Sequence, residues 1–251
     1  MAILYVAAEA AELKPFANLL TGLRKLKWPI DYAWEGIWEG RRLLLAANGA
    51  GPKLASHAVE IAIRAAMVAE LSSSKLEAVV STGFCGALDP SLHHSQVLVA
   101  SKVLSPATGE EYECARVTAR AEFLTGALLS QDRVANDALQ KNHLFSSGAL
   151  AVDMEAAGVA ARSKRAGLPF ACIKAVSDRA EESFPFDLNA MRSREGRIVR
   201  GKIVAHALTH PKVISTLFGL KHRTEDAAKT LGNFLVGTTI VANSDLVQPE
   251  A

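Results

Sequence analysis

The chain has 251 residues, of which 49% are hydrophobic and 22% are charged, and its formal net charge at pH 7 is +2. This length and composition suit a single α/β domain with a sizeable core, and so small a charge argues against binding to nucleic acid. The three cysteines lack the spacing of metal ligands, and neither a signal peptide nor a long charge-free apolar segment is evident, so we expect a cytoplasmic protein without a membrane-spanning helix.

Short apolar strands alternate with longer helical segments along the chain. In chain order, the sequence predicts a strand at 3–8, a helix at 10–20, strands at 32–38 and 42–47, a helix at 53–71, and strands at 78–82, 96–103 and 123–129. These are followed by a short helix at 134–142, a strand at 149–152, a helix at 154–166, a strand at 170–177 and two helices at 190–209 and 211–237. Residues 105–121 support no clear prediction.

The alternation of strands and helices predicts a sheet covered by helices on both faces. Glu39-Gly40, between the strands at 32–38 and 42–47, indicates a hairpin, which makes the sheet mixed rather than purely parallel. The predicted fold is therefore a three-layer α/β/α domain with a twisted, mixed central sheet. It spans residues 1–240 and leaves 241–251 as a frayed tail.

An acidic residue follows the first strand. Glu12 lies one turn into the next helix, and ligands of open α/β sheets gather at the carboxyl ends of the strands. Its carboxylate can therefore point into such a crevice. The alternative is a solvated acid stabilised by the helix dipole, and position alone favours that alternative because charged residues are mostly exposed.

Two glycine-rich segments follow later strands. Residues 48–53, around Ala50, can bring backbone N–H groups close to an anion or a sugar, although an ordinary tight turn fits the pattern better. Both the dinucleotide pattern and the phosphate-loop pattern are incomplete there. In residues 81–88, Gly83 allows a close approach of the backbone to a ligand, and Phe84 can stack on a base or fill the core.

Two further acids lie in almost wholly apolar surroundings. Glu155 opens an alanine-rich helix, where a buried charge needs a partner such as a pair of ribose hydroxyls. Met154 beside it can lie along the sugar face or fill the core. Asp178 ends the strand at 170–177 and, if partly removed from water, can act as a general acid toward a heteroaromatic nitrogen. A helix N-cap is the alternative interpretation of Asp178.

A basic segment lies near the end of the chain. Residues 192–223 contain eight lysines and arginines, one acid and interleaved apolar residues. Such a segment can lie on an anionic membrane and bring the site to a lipid substrate. The favoured alternative is a solvated basic face above a packed apolar one, because helices ordinarily dock on a domain in that way.

Taken together, these segments resemble the nucleoside phosphorylase and nucleosidase superfamily, the group of purine nucleoside phosphorylase, uridine phosphorylase and methylthioadenosine/adenosylhomocysteine nucleosidase. The resemblance covers roughly residues 1–180 and rests on blocks that occur in the family's order. These blocks are the Glu12 segment, 48–53, 81–90, 152–157 and 177–178.

The resemblance implies a role for each acid. In the nucleosidase branch, the residue matching Glu12 activates water, the one matching Glu155 binds the ribose hydroxyls, and the one matching Asp178 protonates the purine at N7. A homodimer or a higher homo-oligomer is also implied. Further substrate contacts are implied for Arg133, Val134 and Ser177.

Departures from the family pattern indicate whether water or phosphate receives the sugar when the glycosidic bond breaks. Phosphorylases usually place an arginine where this chain has Ser81, and a glycine and an arginine in the first loop where this chain has alanine and glutamate. Both differences favour water over phosphate. In contrast, Phe84 replaces a small hydroxyl residue typical of the nucleosidases. Residues 183–187 and the long C-terminal helices resemble the phosphorylase-like proteins of hopanoid biosynthesis, whose expected substrate is adenosylhopane.

The sequence therefore predicts an enzyme that cleaves the N-glycosidic bond of a purine nucleoside, with adenine as the expected base and water as the expected acceptor. Two alternatives stay open, namely phosphorolysis with phosphate as co-substrate and nucleoside binding without catalysis. A dinucleotide-dependent enzyme is disfavoured by the missing glycine. We expect neither a metal nor an organic cofactor.

Overall fold

The structure, a computed structural model, describes residues 1–67, 75–193 and 212–241. In this part of the chain, eleven strands form one sheet. They are β1 Ala2–Ala7, β2 Thr21–Lys25, β3 Tyr32–Trp38, β4 Arg41–Ala47, β5 Leu76–Ser81, β6 Phe84–Ala87, β7 Val97–Ser105, β8 Glu110–Glu113, β10 Leu124–Ser130, β11 Ala151–Asp153 and β12 Phe170–Asp178. Two more strands, β9 Arg116–Ala119 and β13 Thr238–Val241, form a separate antiparallel pair.

Helices cover both faces of this sheet. Their bounds are α1 Ala10–Ala17, α2 Pro52–Met67, α3 Ala138–Phe145, α4 Ala156–Arg165 and α5 Lys212–Val236. Strand β1 is buried on both sides, as expected of a continuous apolar run. Its alternate side chains Leu4 and Val6 pack in one core with α2 and α4, whereas Ile3 and Tyr5 pack in another with α1 and α5. This arrangement confirms the predicted three-layer α/β/α fold.

The strand order is β2-β3-β4-β1-β5-β12-β6-β11-β10-β7-β8. Strands β3 and β4 form the predicted hairpin, and β1 pairs in parallel with β4 and β5, so the sheet is mixed. Strand β12 pairs with β5 over 170–172, with β7 over 173–175 and with β6 over 175–178. The pairings therefore close a ring of five strands, β12-β6-β11-β10-β7, at one end of the sheet.

The predicted helix at 134–142 begins too early. Helix α3 starts at Ala138 because the side chain of Asp137 caps it and accepts from the backbone N–H of Gln140 over 2.8 Å. Val134, by contrast, is held outside the helix by the side-chain amide of Asn189. This amide accepts a hydrogen bond from the backbone N–H of Val134 and donates one to the backbone carbonyl of Val134.

Several strands were not predicted. Strand β6 lies in the segment interpreted as a glycine-rich turn, and β8 and β9 lie in the segment without a prediction. Strand β2 is exposed throughout and therefore lacks an apolar alternation. Of the two C-terminal helices, the second is confirmed as α5. For the first, predicted at 190–209, the structure describes only a short 3₁₀ turn at Asn189–Met191, and 194–209 lie outside the described residues, as does most of the basic segment.

Among the helices that the structure describes, none combines the length and the apolar composition needed to cross a membrane.

Helices α2 and α4 cross so closely that a glycine is required between them. A Cβ atom at Gly158 in α4 would lie 2.1 Å from the carbonyl oxygen of Pro52, the first residue of α2. We predict that Gly158→Ala lowers the free energy of unfolding by about 1–3 kcal/mol, because backbone cannot yield as a side chain does. Urea denaturation measures this loss.

The matched control is the same substitution in an exposed helix position. Among the residues that the structure describes, none has an atom within 4 Å of a Cβ at Gly219 in α5. Gly219→Ala should therefore raise the free energy of unfolding by up to about 1 kcal/mol, the difference in helix propensity. Equal effects of the two substitutions would show that the crossing of α2 and α4 is not as tight as described.

Candidate active site

A cavity of about 420 Å³ opens beside the ends of β1, β11 and β12. Nine of the ten residues predicted to form the site line it, namely Glu12, Ala50, Phe84, Arg133, Val134, Met154, Glu155, Ser177 and Asp178. The tenth, Gly83, lies behind Glu12. Twelve further residues that were not predicted to form the site also line the cavity. Four of them, Phe184, Leu188, Leu220 and Thr224, come from the loop after β12 and from α5, which the sequence alone could not bring to this place.

Glu12 is buried at the start of α1, so its interpretation as a solvated acid is wrong. Its side-chain Oε2 accepts the backbone N–H groups of Ala8 and Glu9 over 2.9 and 3.2 Å. Gly83, with φ of +106°, packs so closely that a Cβ there would lie 2.6 Å from the same oxygen. Burial, and secondly the charge of Glu155, raises the pKa of Glu12 to about 8.

Glu155 occupies the N-cap position of α4. Its Oε1 accepts the backbone N–H of Gly51 over 2.9 Å, so the glycine-rich turn at 48–53 binds a carboxylate of the protein itself. Burial raises the pKa of Glu155, and the ammonium of Lys174 opposes that effect. The carboxyl group is therefore held in place at one oxygen, at the edge of the cavity.

Lys174 is a buried cation that the sequence analysis did not identify. Its Nζ lies 2.7 Å from Asp153 Oδ2 and 3.9 Å from Glu155 Oε2, and it donates to the carbonyl of Thr82 over 2.9 Å. Although burial opposes its charge, Asp153 and Glu155 hold the pKa of Lys174 above the ordinary value. A lysine within the apolar run of β12 was the signal that could have revealed it, because buried charges need partners.

Asp178 also has a buried lysine as its partner. Lys141 Nζ in α3 lies 2.6 Å from Asp178 Oδ2, and the hydroxyl of Ser177 donates to Oδ1 over 2.6 Å. The residues after Asp178 form a turn rather than a helix, so the N-cap interpretation is wrong. Lys141 lies in a polar helix, where nothing in the sequence distinguishes it from a surface lysine.

Residues of two loops form one wall of the cavity. Arg133 and Val134 precede α3, and Asn189 fixes Val134 through the two hydrogen bonds described above. The backbone N–H of Phe184 donates to the carbonyl of Asn136 over 2.8 Å, which joins the loop after β12 to the same wall. Within the described ranges, no group of three or more histidines, cysteines or acids is placed to hold a metal ion.

The chain is similar to known proteins along most of its length. The family model described as the phosphorylase superfamily matches residues 3–208. A 5′-methylthioadenosine/S-adenosylhomocysteine nucleosidase of Staphylococcus aureus is 25% identical over 202 residues, which cover 70% of this chain and 85% of that protein.

Solved structures share the fold. The 5′-methylthioadenosine/S-adenosylhomocysteine nucleosidase of Neisseria meningitidis, in complex with methylthio-immucillin-A, superposes with a TM-score of 0.69 at 18% identity over 94% of this chain and 97% of that one. Futalosine hydrolase of Helicobacter pylori superposes with a TM-score of 0.66 at 17% identity, over 94% of this chain and 95% of that one. Because the family model spans most of the sequence, the chain is an enzyme that belongs to the phosphorylase superfamily.

Proposed function

We propose that the protein cleaves the N-glycosidic bond of a purine nucleoside or nucleoside-like compound, with adenine as the base and water as the acceptor. One observation carries this proposal. Glu12, Glu155 and Asp178, which are far apart in the sequence, line a single cavity of a size suited to a small ligand. The nucleosidases and the futalosine hydrolase that share the fold support the same reaction class.

Each acid has a proposed task. Asp178 lines the cavity together with Ser177 and protonates the base at N7, so that the base leaves as a neutral molecule. Positive charge then develops on the sugar ring. Glu155 anchors the ribose hydroxyls, because a fixed carboxylate can accept both, and Met154 lies against the sugar.

Glu12 is proposed to remove a proton from the attacking water. A general base works best when its pKa lies near the operating pH, and the pKa of Glu12, raised by burial to about 8, approaches that condition. Water attacks C1′ as the bond to the base breaks, and its proton passes to Glu12. The products are the free base and a sugar with a new hydroxyl group.

The charges around the cavity favour water over phosphate. In their ionised forms, which include the form of Glu12 that can act as a base, Glu12 and Glu155 would both repel a phosphate anion at the sugar. The buried ammonium of Lys174 is already bound by Asp153, Glu155 and the carbonyl of Thr82. Ser81, which stands where phosphorylases carry an arginine, is buried and neutral. Phosphorolysis is therefore the second candidate and is distinguished by experiment.

The direct test is release of base from a panel of 5′-methylthioadenosine, S-adenosylhomocysteine, futalosine and adenosylhopane, measured by chromatography with and without phosphate. We expect release from at least one compound at a rate independent of phosphate. Asp178→Asn should lower kcat by about 10²–10⁴-fold, the usual contribution of a general acid. Asp226→Asn, on the exposed side of α5, is the matched control and should leave the rate unchanged.

Three results would contradict the proposal. Near-normal base release by Asp178→Asn would remove Asp178 from the mechanism. Acceleration by phosphate together with a sugar 1-phosphate product would establish phosphorolysis. Saturable binding of these nucleosides without any release of base would identify a binding protein.

Glu12 should make the folded protein less stable at alkaline pH. The folded state keeps the proton of Glu12 up to about pH 8, whereas the unfolded chain loses it near the ordinary pKa of 4.5. The folded state therefore binds more protons between these values, and stability falls as the pH rises through them. Glu12→Gln removes this loss of stability, because glutamine does not ionise. Its amide oxygen can still accept the hydrogen bonds from the backbone N–H groups of Ala8 and Glu9.

We therefore predict that Glu12→Gln melts at least about 2 °C above the unsubstituted protein near pH 9, with little difference near pH 5, while its base release is strongly reduced. Thermal unfolding followed by circular dichroism measures the difference. A difference in melting temperature that is the same at both pH values would contradict the burial of an ionisable Glu12.

Two further expectations concern partners. The protein is proposed to form a homodimer or a higher homo-oligomer, which light scattering measures. Membrane contact through residues 192–223 stays a prediction, because most of that segment lies outside the described residues. Equal sedimentation with and without anionic liposomes would remove it.

A further inference from the structure

Two asparagines join the loops that form one wall of the cavity. Asn136 lies in the loop before α3, and Asn189 begins the 3₁₀ turn that follows the loop after β12. The side-chain Oδ1 of Asn189 accepts the backbone N–H of Val134 over 2.9 Å, and its Nδ2 donates to the carbonyl of Val134 over 3.0 Å. An amide group has both a donor and an acceptor, so it can satisfy both backbone groups of one residue, as a neighbouring strand would. A single side chain therefore holds the wall at Val134.

Asn136 makes the reciprocal connection. Its Oδ1 accepts the backbone N–H of Leu188 over 3.0 Å, and its Nδ2 donates to Asp187 Oδ1 over 2.5 Å. The carbonyl of Asn136 accepts the backbone N–H of Phe184 over 2.8 Å. Three hydrogen bonds of Asn136 and two of Asn189 thus connect the two loops. We call these two residues the asparagine clasp.

We propose that the asparagine clasp is a pair of positioning residues that fixes the wall of the cavity against which the base binds. This inference rests on the proposed function, because it relies on the assignment of Asp178 as the acid that protonates the base.

The loop that the clasp holds begins at this acid. Lys141 Nζ contacts Asp178 Oδ2 at 2.6 Å and lies 5.8 Å from the centre of the ring of Phe184. It also donates to the carbonyls of Arg179 and Glu182 over 2.6 and 3.1 Å. The loop is therefore bound by Lys141 near its start and by the clasp near its end, with Phe184 between them. A base that receives a proton from Asp178 has to lie beside this loop.

The clasp acts on binding of the base rather than on transfer of the proton. In the described residues, the carboxyl group of Asp178 is bound by Lys141 and Ser177 and by neither asparagine. Phe184 and Leu188, which the clasp holds, line the cavity. Such a wall contacts the base before the glycosidic bond breaks and while it breaks. Loss of binding that is equal in these two states raises KM and leaves kcat unchanged.

The experiment compares Asn189→Leu, which is similar in size but has no hydrogen-bonding group, with the unsubstituted protein. It measures KM and kcat for the panel compound that the unsubstituted protein cleaves best, and the inhibition constant of the free base that this compound releases. We expect KM and the inhibition constant to rise by about 10-fold or more, because two hydrogen bonds of the wall are lost, and kcat to change by less than about 3-fold. Asn233→Leu, at an exposed asparagine of α5, is the matched control and should leave all three constants unchanged.

Two further variants keep the experiment decisive if Asn189→Leu does not fold, which circular dichroism shows. Asn189→Asp keeps the acceptor for the N–H of Val134 and loses the donor to its carbonyl. With one of the two hydrogen bonds lost, KM and the inhibition constant should rise by about 3-fold or more. Asn136→Leu removes the side-chain bonds to Asp187 and Leu188 and should raise both constants by about 10-fold or more, again with little change in kcat.

The outcomes separate this inference from the proposed function. Unchanged KM and inhibition constant in folded variants of either asparagine would overturn the role of the clasp and leave the proposed function intact. A lower kcat with both constants unchanged would do the same, because it would indicate a general loss of active protein. An unsubstituted protein that releases no base from any compound would overturn both.

Discussion

The site depends on the buried ammonium of Lys174. It lies where β12 passes beyond the end of β5 to pair with β6, and it joins three parts of the chain by binding Asp153, Glu155 and the carbonyl of Thr82. Removal of one partner from such a buried group typically costs about 3–5 kcal/mol, because the remaining charge is left without compensation. Asp153 also accepts the N–H of Ala156, so the same network fixes the start of α4. The carboxylate of Glu155, to which we assign the ribose hydroxyls, is therefore held by the fold itself.

Two buried lysines compensate acids that line the cavity. Lys174 compensates Asp153 and Glu155, and Lys141 compensates Asp178. Glu12 is bound only weakly by comparison, through the backbone N–H groups of Ala8 and Glu9, and so burial raises its pKa. A carboxyl group in that situation is unfavourable for stability and suited to accepting a proton from water. Stability and reactivity are opposed at this residue, as they commonly are in active sites.

Local patterns in the sequence were sufficient for much of the fold. The apolar runs of β1 and β12, the Glu39-Gly40 hairpin and the alanine-rich helix α4 each carry their own signal. Strand ends, glycine-rich segments and the family resemblance together indicated ten site residues, nine of which line one cavity. The start of α3 was wrong because Asn189, 55 residues away, holds Val134 out of the helix. Lys141 and Lys174 were missed for the same reason. Their partners lie 19 to 92 residues away. The apolar run of β12 was a signal for Lys174, whereas no local pattern distinguishes Lys141 from a solvated lysine.

The central claim is that three acids converge on one glycoside, and a crystal structure with methylthio-immucillin-A bound tests it most directly. The account predicts that the ligand occupies the cavity with Asp178 bonded to the position of N7, Glu155 bonded to the ribose hydroxyls and Glu12 facing the anomeric carbon. A ligand bound outside this cavity, or bound with its base directed toward Glu12 and Glu155, would contradict it.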